Sequence, residues 1–130
     1  MATLVSHVWR PSSARTLLAN AAPLLWPAKD PGDVLDYQFD LGPLSAGNEG
    51  DVINGVDIDV QPSAVGDLSV DNVAADGLKI ILWLSSGKAG TIYLITVQAE
   101  LASGRTIRRT VSLHVVALST PLPPVPPPPP

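Results

Sequence analysis

Apolar and polar residues alternate with a period of two through the middle of this chain, from about residue 34 to residue 116. Successive side chains of a β-strand point to opposite faces of its sheet, so the alternation predicts strands with one buried face. The clearest apolar face consists of Leu35, Tyr37, Phe39 and Leu41. Further strands are predicted over residues 56–60, 68–73, 78–84, 92–101 and 106–116. Turn signals separate these stretches, which is typical of an all-β sandwich with about six or seven strands.

The last two predicted strands are the best-defined unit, a hairpin that closes at the turn Ser103-Gly104. Residues 78–84 form an almost continuous apolar run, which predicts a strand covered on both faces. The alternation also identifies side chains that we expect to be buried in the core. They are Tyr37, Phe39, Ile58, Leu82, Tyr93, Ile95, Val97, Leu113 and Val115.

One pattern in this region is typical of immunoglobulin-like sandwiches. In such domains a tyrosine lies near the start of a late strand, two positions before a core residue. Tyr93 and Ile95 have that spacing, and Trp83 or one of its neighbours is the candidate for the central core aromatic. The chain has no cysteine, so the predicted sandwich has no disulfide and suits a reducing compartment.

Composition divides the chain into an N-terminal arm, residues 1–33, a sandwich, residues 34–116, and a tail, residues 117–130. Prolines interrupt the arm, and a helix is predicted in it only around residues 13–22. Its apolar side chains are costly to leave in water, which predicts that it docks on partners through Trp9 and Trp26. The acid-free composition of its first part also resembles an organellar transit peptide, but the prolines favour a docked arm.

The tail ends in PLPPVPPPPP, which predicts polyproline II without internal hydrogen bonds. A disordered end is one interpretation of such a segment. The other is a docking element, because a stiff segment has little conformational freedom to lose when it enters an apolar groove. The candidate contact residues of the tail are Pro123, Pro124 and Pro126.

Hydrophobic residues make up 45% of the chain and charged residues only 15%. Its 130 residues suffice for one domain with a core, and so large an apolar share indicates surface that partners cover. The sequence has no run of 18 apolar residues, so no membrane-spanning helix is predicted and a membrane is not an expected partner.

Charge is distributed unevenly along the chain. Residues 1–29 have three basic residues and no acid, residues 30–76 have eleven acids and no Lys or Arg, and residues 77–130 have five basic residues and one acid. The acidic stretch is either the solvated face of the first strands or one side of a contact between oppositely charged faces of neighbouring copies. With a pI of about 4.8, nucleic acid is not an expected partner.

Three arginines, Arg105, Arg108 and Arg109, follow the turn of the last hairpin. They either protect a strand edge from aggregation or anchor the protein on an acidic patch of a neighbour. Both interpretations stay open at this point, and the second makes these arginines candidate partner-binding residues.

No residue pattern in the chain indicates catalysis. No Gly-x-Ser-x-Gly turn is present, and His7 and His114 lack the further ligands that a zinc site needs. Asp57 and Asp59, with Asp67, Asp71 and Asp76, are a candidate Ca²⁺ set, although an exposed acidic strand face is favoured. We therefore expect a protein that is not an enzyme and has no metal or cofactor.

Three motifs resemble those of the small bacteriophage fiber-tail adaptor family. They are the opening Trp26-Pro27-Ala28-Lys29-Asp30-Pro31, the turn Leu84-Ser85-Ser86-Gly87 and the hairpin turn Ser103-Gly104-Arg105. Ser86 stands where that family has a second glycine, and Leu101 where a threonine is common. The resemblance spans about residues 26–116 and excludes the long arm and the proline tail.

The resemblance implies an immunoglobulin-like structural protein of a phage virion, which links the tail adaptor or tube to fibers. Its partners would be other virion proteins, in multiple copies of a symmetric assembly made in the host bacterial cytoplasm. Two alternatives remain at this point: a capsid or neck decoration protein, and an immunoglobulin-like module that binds carbohydrate or a surface. The few aromatic residues argue against a sugar platform.

Overall fold

The computed structural model describes residues 15–20, 24–44, 50–119 and 128–129, and eight β-strands cross these ranges. In chain order they are β1 (Thr16–Leu18), β2 (Leu25–Lys29), β3 (Leu35–Asp40), β4 (Ile53–Gln61), β5 (Ser69–Asp76), β6 (Lys79–Ser85), β7 (Thr91–Leu101) and β8 (Thr106–Val115). A short 3-10 turn, Gly42–Leu44, follows β3. Within the described ranges no helix is long and apolar enough to cross a membrane.

The strands form two four-stranded sheets that pack as a sandwich. One sheet has the order β1-β3-β6-β5 and the other has the order β2-β8-β7-β4. β1 runs parallel to β3 and β2 runs parallel to β8, whereas the other neighbours are antiparallel. The six strands predicted from the alternation correspond to β3–β8, and the predicted all-β sandwich is confirmed.

Part of the segment predicted as a docking arm belongs to the sandwich instead. β1 and β2 lie within residues 1–33, and each adds a parallel edge strand to one sheet. The helix predicted around residues 13–22 is wrong for the described residues 15–20, where β1 pairs with β3. Such short strands have no clear alternation of their own, and their pairing depends on strands distant in sequence.

The predicted core is confirmed, with one residue at its margin. Tyr37, Phe39, Leu82, Tyr93, Ile95, Val97, Leu113 and Val115 are buried. Ile58 is half-buried, because β4 is an edge strand of its sheet. The prediction for residues 78–84 is wrong in part. Ile80, Leu82 and Leu84 face the core, whereas Ile81 and Trp83 are half-buried on the other side of β6.

The large aromatic of the core is Trp26 and not Trp83. Trp26 is 1% exposed, its ring centroid lies 5.2 Å from that of Tyr37, and its indole Nε1 donates to the carbonyl of Gln38 at 3.2 Å. The prediction that Trp26 contacts a partner is therefore corrected. β2 directs this side chain inward between the sheets, where it packs beneath β3.

Tyr93 links three segments at one end of the sandwich. The amide of Lys88 donates to its hydroxyl at 2.8 Å, and the hydroxyl donates to Oδ1 of Asp67 at 2.6 Å. The bond lowers the pKa of the Asp67 carboxyl, whereas burial first and the bond to Asp67 second raise the pKa of Tyr93. The β4–β5 connection is thereby held against the start of β7.

Candidate protein-interaction surfaces

The segment Trp26 to Pro31 fixes one end of the sandwich through a buried lysine. Lys29 is 0% exposed, and its Nζ donates to the carbonyls of Asp30 at 2.8 Å and Ser86 at 2.7 Å. Burial lowers the pKa of Lys29, and the nearby carboxylates of Asp33, Asp30 and Asp71 oppose that shift. The ammonium therefore joins β2 to the turn after β6 and is not available to a partner.

That turn has an unusual backbone. Ser86 has φ 61° and Gly87 has φ 106°, both in the left-handed region that favours glycine. A Cβ on Gly87 would lie 2.9 Å from a methyl group of Val115, so glycine is also required there by space. This backbone geometry turns the Ser86 carbonyl toward Lys29. The positive φ and the lack of space for a Cβ explain why glycine occupies position 87 of the motif.

Asp30 organises the next turn with one carboxylate oxygen, Oδ2, and with its own backbone amide. Oδ2 accepts from the amide of Gly32 at 2.8 Å, while the amide of Asp30 donates to Oδ2 of Asp33 at 3.1 Å. The backbone closes the same turn through the amide of Asp33, which donates to the carbonyl of Asp30 at 3.0 Å. This reciprocal arrangement makes the carboxylate of Asp30 a rigid acceptor.

The other oxygen of Asp30 holds the beginning of the C-terminal tail. Oδ1 accepts from the amides of Leu118 and Ser119, each at 2.8 Å, and Val116 donates its amide to the carbonyl of Lys29 at 2.8 Å. The amide of Gly32 first, and the amides of Ser119 and Leu118 after it, lower the pKa of the Asp30 carboxyl. We name the contact of Asp30 with Leu118 and Ser119 the Asp30 clamp. It fixes the point at which the chain leaves the sandwich.

The predicted contact residues at the two chain ends lie outside the described residues. Trp9 belongs to residues 1–14, and Pro123, Pro124 and Pro126 belong to residues 120–127. Near the C-terminus only residues 128–129 are described, and both are exposed.

The three arginines after the hairpin turn do not form one cluster. Arg109 donates from Nε to the carbonyl of Ala19 at 3.2 Å, so it ties β8 to the end of β1. Arg105 lies at the turn, where Nη1 is 3.5 Å from the carbonyl of Leu44. Arg108 is exposed on the outer side of β8. Of the three, Arg105 and Arg108 are exposed, and Arg108 lies on the outer face of its sheet.

Many acids of the acidic stretch are structural acceptors rather than one solvated face. Asp30, Asp36, Asp51 and Asp67 are all buried. Asp36 forms an ion pair with Arg15 at 3.2 Å, and Oδ2 of Asp51 accepts from the hydroxyl of Ser103 at 2.7 Å. Across the described ranges, no three His, Asp or Glu side chains are grouped so that they could hold a metal ion.

The second sheet exposes large apolar side chains on its outer face. Leu25 is 53% exposed, Ile92 57% and Leu94 47%. The sequence analysis did not identify these side chains as exposed, although the positions of two of them along their strand predict it. Ile92 and Leu94 alternate with the core residues Tyr93 and Ile95 and must therefore face outward.

A groove lies between the two outer strands β4 and β5 on one side of the sandwich. It has a volume of about 280 Å³ and is lined by Ile53, Asn54, Gly55, Val56, Val73, Ala74 and Ala75. None of these residues is titratable, so the groove has no group for acid–base or nucleophilic chemistry. It is suited mainly to apolar contact, with the Asn54 amide as the hydrogen-bonding side chain of its lining.

Comparison with known proteins connects this geometry to a family. The family model described as "Podophage GP4 fiber-tail adaptor protein gp77" matches residues 29–114. The matched range begins at the buried Lys29, includes Asp30 and ends within β8. No curated protein matches the chain.

Proposed function

Because this chain belongs to the podophage GP4 fiber-tail adaptor protein family gp77, we propose that it joins the tail adaptor or tube of a phage to its fibers. The family match makes it a structural component of the virion tail. The observation that carries the finer proposal is that the matched range covers β3–β7 and almost all of β8, six of the eight described strands of the sandwich. In this proposal the protein acts through contacts with other virion proteins and catalyses no reaction. Multiple copies of it are assembled into the virion in the host cytoplasm.

We also propose that the sandwich has immunoglobulin-like topology. The order β1-β3-β6-β5 corresponds to strands A-B-E-D of such domains, except that β1 runs parallel to β3, and β2-β8-β7-β4 corresponds to A′-G-F-C. The bond between the Tyr93 hydroxyl and the amide of Lys88, five residues upstream, supports this assignment, because a tyrosine corner makes that kind of bond.

The chain ends are the proposed binding segments. Residues before β1, including Trp9, and the proline tail, including Pro123, Pro124 and Pro126, dock on neighbouring virion proteins. The Asp30 clamp supports the proposal for the tail, since it holds the tail's first residues against the sandwich. A tail with a fixed origin loses less conformational entropy when it docks than a freely moving one.

The test compares the full chain with a chain that lacks residues 120–130, so that the Asp30 clamp remains. We expect the melting curves to be almost identical, because the clamp and the sandwich are intact. We expect incorporation into tail particles to fall at least about tenfold. A chain whose last eleven residues are replaced by Gly and Ser is the control for length. Normal incorporation of either variant would contradict tail docking.

Location within the particle tests the adaptor role itself. Labelled full chain should be found at the junction of tail and fibers in electron micrographs of assembled virions. Label on the capsid or neck would instead support a decoration protein and overturn the adaptor proposal.

A further inference from the structure

The outer face of the β2-β8-β7-β4 sheet has an ordered pattern of apolar and charged residues. Its apolar half has two rows of residues that are neighbours across the strands. One row is Leu25 on β2, Ser112 on β8 and Leu94 on β7, and the other is His114 on β8 and Ile92 on β7. Its middle row is Thr110 beside Thr96, whose hydroxyl oxygens are 3.0 Å apart, followed by Asp59. Its charged row is Arg108, Gln98 and Asp57. We call this set of residues the outer face.

Charges of opposite sign lie on opposite sides of the central strand. Arg108 is on β8, Asp57 and Asp59 are on β4, and β7 lies between these two strands. Neighbouring strands are about 4.8 Å apart, so β8 and β4 are separated by roughly 9–10 Å. The salt bridges found among the described residues join Arg15 to Asp36 and Lys88 to Asp67, so none of them uses these three side chains.

A shallow depression separates the two charged groups on this face. Its volume is about 130 Å³, and Thr96 and Gln98 line it together with Arg108, Asp57, Ile58 and Asp59. Side chains of modest size at the centre leave space between the arginine and the acids. A second protein surface could therefore approach the sheet closely at this point.

We propose that the outer face binds the outer face of a second copy of this chain, with a two-fold axis along β7. Because β8 and β4 each lie one strand from β7, this axis places β8 of each copy over β4 of the other. Arg108 of each copy then faces Asp57 of the other, and both contacts form together. Leu94 of each copy, next to the middle row, is covered by its own counterpart, which removes exposed apolar surface from water.

Charge complementarity is the reason to choose a second copy as the occupant. A partner surface of one sign would leave either Arg108 or the β4 acids opposite a like charge, which is unfavourable. The face is complementary to itself under the two-fold rotation. Aligned sheets pack at about −30°, so their end rows diverge, and Glu100 at the end of β7 is separated from its counterpart.

The first experiment measures the mass of the full chain by analytical ultracentrifugation over a range of concentrations. We expect a monomer–dimer equilibrium that weakens as the salt concentration rises, because charged pairs at the rim are screened. Leu94→Asp should make the chain monomeric at every concentration. Val65→Asp is the matched control, since Val65 is 97% exposed and lies outside this sheet, and it should dimerise like the unmodified chain. Thermal melts establish that each variant is folded.

Charge reversal then tests the pairing itself. Arg108→Asp and Asp57→Arg should each weaken dimerisation about tenfold, and the double variant should recover most of that loss. Recovery is specific to a direct contact between copies. A monomeric chain at all concentrations, a dimer that survives Leu94→Asp, assemblies larger than a dimer, or a double variant weaker than both single variants would each overturn the proposal.

Discussion

Tyr37 is an exception among the buried polar groups of this chain. Lys29, Asp30 and Asp67 have specific hydrogen-bond partners, whereas the hydroxyl of Tyr37 is buried without one in the described part of the chain. Its ring is 0% exposed and packs against Trp26. Burial is the main cause that raises the pKa of Tyr37 to about 12, because the phenolate would lose its hydration in the core.

The Tyr37 pKa shift predicts a specific loss of stability at alkaline pH. The unfolded phenol ionises near pH 10, while the folded protein retains the proton until about pH 12. Between these values the folded state binds more protons, so the free energy of unfolding falls as pH rises, by about 1.4 kcal/mol per pH unit at most. Below about pH 10 the group makes no pH-dependent contribution.

Tyr37→Phe isolates this effect. At pH 7 we expect its free energy of unfolding to equal that of the unmodified chain or exceed it by about 1 kcal/mol, because no hydrogen bond is lost. Urea denaturation at about pH 8 and about pH 11 should show a smaller alkaline loss in the variant. Tyr93 and the lysines are present in both proteins, so any loss of stability that they cause at alkaline pH is the same in both. Equal losses in the two would contradict the assignment to Tyr37.

At the scale of elements, β2 connects the sequence motif to the fold. It is five residues long and exposed on most of its length, yet it carries the completely buried Trp26 and Lys29. Its strand partner is β8, and Trp26 pairs in register with Leu113. The segment therefore belongs to the sandwich, and its large aromatic side chain is part of what holds the two sheets together.

Comparison of two tryptophan truncations tests this role of β2. Trp26→Ala should lower the free energy of unfolding by about 3–5 kcal/mol, because it leaves a large cavity in the core. Trp83→Ala is the control, since Trp83 is only half-buried on the outside of its sheet, and it should cost about 1–2 kcal/mol. Chemical denaturation of both variants measures the difference. A smaller loss for Trp26→Ala than for Trp83→Ala would show that β2 is a loosely attached arm.

At the scale of the whole molecule, a closed sandwich and a proline tail are joined at Asp30. The clamp uses Oδ1 for two tail amides and leaves Oδ2 for the local turn. The pKa of Asp30 is lowered from its ordinary value of 3.8. The bonds of this carboxylate to the Gly32 amide and to the clamp amides therefore contribute stability above that pH, and the contribution is lost as the pH falls through the lowered pKa.

Hydrogen exchange tests the clamp directly. Asp30→Ala should raise the exchange rates of the Leu118 and Ser119 amides at least about tenfold, because their acceptor is removed. Amides of β7 and β8 should exchange much as before. In the unmodified chain the two tail amides should stay protected at pH 5 and become unprotected only below about pH 3.8.

Asp76→Ala is the matched control, because Asp76 is an exposed acid at the end of β5, outside the outer face, and no hydrogen bond joins it to the tail among the described residues. It should leave the Leu118 and Ser119 amides protected. Equal exchange rates at these amides in the Asp30 variant and the unmodified chain would mean that the clamp does not hold the tail in solution.

The sequence by itself determined the strands β3–β8 and, apart from β6, which faces only one side to the core, the core face of the predicted strands. Alternation with a period of two is a local property, and it assigns each side chain to a face without knowledge of the neighbouring strand. The family resemblance also rested on local motifs, and the family match over residues 29–114 confirms it.

Only the tertiary structure decided which residues from distant segments of the chain come into contact. β1 and β2 become strands because β3 and β8 offer them edges, and their own short sequences contain no such signal. Trp26 enters the core, Arg108 and Arg109 separate, and Asp30 finds the amides of Leu118 and Ser119. These outcomes depend on contacts between residues far apart in the chain, and neither periodicity nor composition contains that information.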